Sequence, residues 1–440
     1  MKRDIYLKLL KWKTSKQRKP LILKGARQVG KTYILQKFGH REYDTVAYFN
    51  FEENPALDDF FRQKLDPVSI IANLEIYIGK KIAPEQDLII FDEIQASNYA
   101  LTSLKSFREQ AGSYHVAAAG SLIGIRLSRP RSFPVGQVNF LDIYPMTFME
   151  FLDAVKRSEL RGLIETQKKV SPFPDPFHNE LLDWLKKYFF VGGMPEPLRC
   201  FVETQDLVEV RERQKEIINS YLLDFSKHAP TSDIPKLGLI WNSIPAHLSR
   251  ENKKFIFSAI RKGARAREYE NSIQWLEDAG LIYKSYQVST ASSPLKGFMN
   301  SNNFKVFTLD VGILASMAGI PPKSLVQGTN LFNKYKGAFV ENYVAQQLKS
   351  DKQIDLYYWT SKGKRAELDF LCEIQGSIHP LEAKAGISPK SKSLLSYDTQ
   401  FNPPVLFRTT LLNLKKDGKI CNIPLYAVHN FPEIMDDDDR

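Results

Sequence analysis

Cysteine is scarce in this chain: three stand among 440 residues, at Cys200, Cys372 and Cys421. Their wide spacing excludes a zinc pattern, and so scattered and odd a set excludes a disulfide framework, which suits a reducing compartment. No apolar run approaches the roughly 18 residues that a membrane-spanning helix needs. The opening stretch MKRDIYLKLLKWKTSKQRK is basic but lacks the apolar core of a secretion signal. The chain is therefore expected in the cytoplasm, with no membrane partner. Acidic residues are the other shortage. Asp and Glu number 50 against 61 Lys and Arg, a net charge of +11, which favours a polyanionic partner such as nucleic acid, DNA ahead of RNA.

Hydrophobic residues make up 43% of the chain and charged residues 25%, as in proteins with real cores. The length suits about two to four domains. The first stretch that carries chemistry is GARQVGKT, Gly25–Thr32, within PLILKGARQVGKTYILQKFG. It reads as a strand, a tight loop and a helix, in the pattern G-x-x-x-x-G-K-[ST]. Gly25 and Gly30 let the backbone curl so that the N–H groups of Gly25, Ala26, Arg27, Gln28, Val29, Gly30, Lys31 and Thr32 surround a phosphate chain. The following helix adds a dipole that favours anions. In this reading Lys31 reaches the β- and γ-phosphates of ATP, and Thr32 offers its hydroxyl to Mg2+.

The stretch DLIIFDEIQ supplies the partner motif. A buried apolar strand that ends in two carboxylates is costly unless a cation stands beside them. Here Asp92 is expected to hold the Mg2+ and Glu93 to orient or deprotonate the attacking water. Two more strands fit, TVAYFNFE near 45–52 and YHVAAAGS near 114–121, the second ending in Ser121. That serine either senses the γ-phosphate or caps a helix. GQVNFLDIYPMTFMEFL then reads as a fifth strand and a helix. Strands alternating with helices imply a parallel sheet covered on both faces.

Taken together, LILKGARQVGKTYILQKFG, IIFDEIQ, GSLIG, YPMTFMEFL and YFFVGGMPEPL resemble the bacterial and archaeal AAA-superfamily ATPases with a C-terminal domain of uncertain function. The resemblance spans most of the chain, roughly residues 3 to 400. It implies the AAA-type sheet order and ATP with Mg2+ as ligand. It also marks an absence. Members often carry Gly-Arg before the last strand, where this chain has Gly136-Gln137. If that arginine is a finger on the γ-phosphate, its role is vacant, moves to Arg126, Arg129 or Arg131, or is filled in trans by a second subunit of a homo-oligomer. Lacking such a finger costs about 10³-fold or more in turnover.

Residues 156–225 carry helical patterning, with Trp184, Leu185, Tyr188 and Phe189 as core. The turn Gly192-Gly193 is characteristic of the resemblance, and the sequence offers no reason for it beyond backbone freedom. From 232 to 290 the order helix, helix, helix, strand resembles a winged helix whose third helix starts near Arg265. Around it cluster Arg250, Lys253, Lys254, Arg261, Lys262, Arg265 and Arg267 against one acid, Glu251. These either contact phosphates or form a solvated face.

In the last part, KYKGAFVENYVAQQLKS reads as a helix burying Phe339, Val340, Tyr343, Val344 and Leu348. Gly337 and Ala345 flank Glu341, so its face can approach a sheet closely. AELDFLCEIQGSIHPLEAKAG reads as a hairpin turning at Gly376-Ser377, with Glu382 and Lys384 on one face. A two-residue turn there sets Asp369 opposite Lys384, on that face; a three-residue turn sets it opposite Ala383, facing away, unless a bulge restores the register. The set Glu341, Asp369, Glu382 and Lys384 resembles the D…E-x-K signature of restriction-endonuclease-like enzymes, with Leu368 where the usual proline stands. The carboxylates would hold Mg2+ at a scissile phosphate and Lys384 would steady developing charge, while Lys362, Lys364 and Arg365 guide the backbone. The acidic tail MDDDDR is a solvated end.

The fold expected is α/β: an AAA-type P-loop domain over 1–155, a helical and winged-helix region over 156–290, and a restriction-endonuclease-like domain over 291–440. Two functions follow. One is an ATPase that acts on nucleic acid with a nuclease-like C-terminal site. The other is an ATP-dependent switch whose C-terminal domain binds a partner without cutting.

Overall fold

The computed structural model describes residues 1–62, 65–121, 136–250, 253–322, 330–361, 363, 366–386 and 391–434, and over 330–336 it describes the backbone alone. They pack as two compact units. One comprises Lys2–Tyr144 with Asp278–Gly280; the other comprises Met1, Pro145–Glu277 and Leu281–Arg440.

The first unit is built on five strands: β1 (Leu21–Gly25), β2 (Thr45–Asn50), β3 (Asp87–Asp92), β4 (His115–Ser121) and β5 (Asn139–Asp142). All pair in parallel, in the order β2-β3-β4-β1-β5. Leu88, Ile89, Ile90 and Phe91 of β3 are fully buried, as a central strand covered on both faces requires. Phe51, Phe61, Phe91 and Phe107 meet edge-to-face on one side of the sheet. With β1 between β4 and β5, the ends of β1, β3 and β4 open side by side, and the order is the one the resemblance implied.

The second unit carries β6 (Ile282–Val288), β7 (Met299–Thr308), β8 (Leu356–Thr360), β9 (Glu367–Ile374), β10 (Ser377–Ala383), β11 (Leu406–Thr410), β12 (Lys415–Asp417) and β13 (Ile420–Pro424). They form one mixed sheet in the order β12-β13-β11-β10-β9-β8-β6-β7. The helix Ile234–Leu248, a bridge from Lys254 to Lys305, a 3-10 turn Phe257–Ala259 where a full second helix was expected, the helix Ala266–Asp278 and the β6–β7 hairpin follow one another in winged-helix order. Tyr269, Ile273, Leu276 and Leu281 are buried. Because β6 also pairs in parallel with β8, a division at 290 falls inside one sheet.

The break between units comes at Tyr144/Pro145, ahead of the expected 155. Its cause is a set of backbone bonds made by the YPMTFMEFL segment. Met146 N donates to Gly193 O at 2.7 Å, Tyr188 Oη donates to Met146 O at 2.6 Å, and Phe148 N donates to Gln347 Oε1 at 3.0 Å. The structure also supplies a reason for the Gly192-Gly193 turn. Gly193 N donates to Asp310 Oδ2 at 2.6 Å, and a Cβ on Gly193 would stand 2.0 Å from Met146 O. Asp310 accepts as well from Ile313 N at 2.9 Å and Gln346 Nε2 at 3.2 Å. Burial still pushes its carboxyl up to about 6.

The β9–β10 hairpin departs from both expected registers. Ser377 pairs with Ile374 and Leu381 with Phe370, so the turn is Gln375-Gly376, with φ of 51° and 80°. A two-residue turn with both φ positive matches the twist of the strands. Asp369 therefore falls opposite Glu382, on the face shared with Lys384.

Candidate nucleotide site and a buried charge cluster

The loop after β1 turns on Gly30, whose φ of 93° is closed to side chains. A Cβ on Gly25 would stand 2.3 Å from Ile143 O, so the loop lies flush against the segment after β5. Lys31 is buried, its ammonium donating to Gly25 O at 3.2 Å and Ala26 O at 2.8 Å. Thr32 Oγ1 donates to Asp92 Oδ2 at 2.8 Å, bringing the two motifs together across 60 residues. Tyr48 Oη donates to the same oxygen at 2.7 Å, and Glu93 N donates to Asp92 Oδ1 at 3.0 Å. Burial and the Asp92 carboxylate hold the Tyr48 phenol protonated. Glu93 sits in the left-handed region, φ 48°, and its side chain accepts from Gln95 Nε2. Ser121 is buried at the end of β4, in register with Gly25. Arg27 lies 4.0 Å from Glu52 at the half-exposed edge of the loop, Gln28 is exposed, and Val29 is buried.

A hydroxyl and a carboxylate converging beside a curled, lysine-bearing loop are hard oxygen donors, and they fit Mg2+ with a polyphosphate. Lys31, Thr32 and the loop would hold the phosphates, and Asp92 with Thr32 would hold the metal.

Sequence reasoning missed two residues here. Tyr48 shares the load on Asp92. Arg3, buried, donates from Nη1 to Val29 O at 2.9 Å and from Nη2 to Tyr144 O at 2.6 Å. It fastens the outer carbonyl of the loop to the chain beyond β5. An Arg3→Ala change is predicted to raise the Kd for ATP roughly tenfold, with part regained by Arg3→Lys, because charged hydrogen bonds contribute about 1.5–3 kcal/mol. Calorimetric titration with ATP checks this; unchanged affinity would mean that Arg3 only packs.

Arg126, Arg129 and Arg131 lie outside the described residues, as do Glu251, Lys362, Lys364, Arg365 and the tail. Of the basic residues near the helix Ala266–Asp278, Arg250, Arg261, Lys262, Arg265 and Arg267 are exposed, while Lys253 and Lys254 are half-buried.

The C-terminal carboxylates meet lysines. Glu341, Asp369 and Glu382 approach one another from the helix Asn330–Gln347, β9 and β10, but among the described residues no three His, Cys, Asp or Glu side chains are placed to hold a metal ion. Lys305 Nζ, fully buried, stands 2.6 Å from Glu367 Oε1, 3.5 Å from Glu341 Oε2 and 3.8 Å from Asp369 Oδ1. Lys253 is ion-paired with Glu341 Oε1. Lys384 lies 2.8 Å from Glu382 Oε1, and Asp369 Oδ2 accepts from Ala383 N at 2.9 Å. Burial and the neighbouring Glu341 push Asp369 up to about 7, whereas Glu341, against the pull of burial, is lowered by Lys305 and Lys253. Lys305 and Glu367 were not singled out in the sequence, where no short motif marks them, and Lys253, read there as part of a basic surface, is instead paired with Glu341.

Residues 17–152 match a family model described as "AAA domain". Residues 182–324 and 336–428 match two described as domains of unknown function, DUF8612 and DUF4143. An uncharacterized protein of Methanocaldococcus jannaschii is 22% identical over 289 residues, 60% of this chain, and the match spans 56% of that relative's length. A Walker-type ATPase of Pyrococcus abyssi is similar at 13% identity and a TM-score of 0.45, over 72% of this chain and 95% of that one. The Orc1 protein of Aeropyrum pernix, solved in complex with DNA, is similar at 13% identity and a TM-score of 0.28, over 73% and 92%. No described helix is long and apolar enough to cross a membrane.

Proposed function

We propose, from the premise that residues 17–152 are an AAA-type P-loop ATPase domain, that the chain binds ATP with Mg2+ and hydrolyses it while engaged on nucleic acid. The observation that carries the ATPase reading is the Thr32–Asp92 contact of 2.8 Å beside the buried Lys31. Mg2+ held by Thr32 and Asp92 would supply charge neutralisation at the phosphates. The chain's own residues do the rest. Loop N–H groups hold the phosphate chain, Lys31 exchanges its loop carbonyls for phosphate oxygens, and Glu93 orients the attacking water and accepts its proton. With Gln137 in place of the expected arginine, the finger is vacant, falls to Arg126, Arg129 or Arg131, or comes from a second copy in trans.

Nucleic acid is favoured by the +11 charge and by the exposed Arg261, Lys262, Arg265 and Arg267 around the start of the third winged-helix helix. DNA is expected to stimulate ATP hydrolysis several-fold near about 50 mM salt and to lose that effect by about 200 mM, because phosphate contacts release counterions. ATPase indifferent to every DNA and RNA form would sink this reading. A switch whose C-terminal domain binds a partner without cutting is then the better one, and it has an observation of its own: the C-terminal carboxylates are already counter-charged.

A further inference from the structure

The D…E-x-K resemblance implies a divalent metal among Glu341, Asp369 and Glu382, and the residues present do not fit one. Lys305 reaches from β7 into the space between the carboxylates. Its ammonium lies 2.6 Å from Glu367, 3.5 Å from Glu341 and 3.8 Å from Asp369, over the face of the Tyr358 ring at 5.0 Å. An oxygen cage of this kind is what a hard cation occupies, and here a side chain occupies it.

Charge counting points the same way. Glu341, Glu367, Asp369 and Glu382 face Lys253, Lys305 and Lys384. Arg408, buried, stands in register with Glu382 across β10 and β11. Four carboxyl groups and four basic side chains are thus already gathered here. A divalent ion added to this cluster would leave an excess of positive charge in a buried place, which low-dielectric surroundings penalise heavily. A buried ammonium is itself costly to desolvate, and only the surrounding carboxylates compensate it.

We infer that Lys305 is the resident cation of the C-terminal domain: its ammonium takes the position of the metal ion, so the domain keeps a nuclease-like frame without loading a metal. Lys305 lies on β7 of the winged-helix hairpin, whereas Glu341, Glu367 and Asp369 lie on the elements after it. The charge cluster therefore ties that hairpin to the C-terminal part of the sheet. The inference rests on the second reading above as regards the domain, and is independent of what the ATPase acts on.

The test is Mn2+ uptake by the full chain without nucleotide, read as loss of the free-ion paramagnetic signal, in an Asp92→Asn background that silences the first unit. With Lys305 intact, no stoichiometric uptake is expected below about 1 mM Mn2+. Lys305→Gln is expected to take up about one equivalent, at least tenfold more tightly, and to lose it on adding Glu341→Gln. Two results overturn the inference. One is micromolar uptake by the Lys305-intact chain that Glu341→Gln abolishes. The other is a folded Lys305→Gln chain that takes up none. If Lys305→Gln does not fold, the Lys305-intact titration, with and without Glu341→Gln, decides alone. A nicking assay on supercoiled DNA keeps the two readings apart. Nicking by the Lys305-intact chain that persists with chelator would end the non-cutting reading while upholding a metal-free site, and nicking that requires added Mn2+ would end both.

Discussion

A Glu93→Gln chain is expected to bind ATP about as tightly as the parent and to hydrolyse it at least about 10²-fold more slowly, the usual contribution of a positioned general base. The separation of binding from turnover follows from how the end of β3 divides the work. Asp92 is held by three hydrogen bonds: Oδ2 accepts from Thr32 and Tyr48, and Oδ1 from the backbone of Glu93. Glu93 is held instead in the left-handed region at φ 48°. That conformation costs on the order of 1 kcal/mol for a residue with a side chain, and the Glu93 carboxylate meets Gln95 there. Glutamine preserves the shape and the contact with Gln95 while removing the base. Lys31→Ala, by contrast, should lose binding and hydrolysis together. Calorimetry with ATP and phosphate release, run on both variants, make the distinction. Undiminished turnover in Glu93→Gln would remove Glu93 from the chemistry; binding lost along with turnover would make it a structural residue.

What could be read in advance divides along the same physical line. The phosphate loop and the acidic end of β3 are local: their spacing is fixed by a single turn of chain, so Gly25–Thr32, Asp92 and Glu93 were all legible as residues. The strand order needed the family resemblance, since nothing in β1 or β4 alone says that they pair. Long-range holders left no signal. Arg3 grips Val29 and Tyr144, 26 and 141 residues away, and an arginine near the start of a basic segment looks like any other. Lys305 was invisible for the same reason, because a lysine in a strand reads as an exposed edge until the fold places carboxylates around it. The hairpin was misread by a local rule. Gly376 was rightly taken as the turn glycine, but the residue before it, Gln375, also adopts positive φ, which a glutamine rarely does. That moves the turn by one residue and sets Asp369 opposite Glu382.

The glycine pair at 192–193 shows how a position without a sequence-level reason acquires the largest expected effect on stability. Gly193→Ala should destabilise the second unit by about 3 kcal/mol or more. Its Cβ would meet Met146 O at 2.0 Å, Met146 N at 2.8 Å and Met146 C at 2.9 Å. These are backbone atoms, which cannot move aside as a flexible side chain would. Relaxing the clash means parting Met146 N from Gly193 O, or Gly193 N from Asp310, and the carboxylate so exposed has no water to turn to. Gly238→Ala is the control of opposite sign. It lies inside the helix Ile234–Leu248 with nothing within 4 Å of the added carbon, so alanine should stabilise by roughly 0.5–1 kcal/mol through helix propensity. Urea unfolding followed by tryptophan fluorescence suits the comparison, because of the five tryptophans only Trp12 lies in the first unit. If both substitutions shifted the midpoint in the same direction, the close approach of Gly193 to Met146 would not be what fixes this turn.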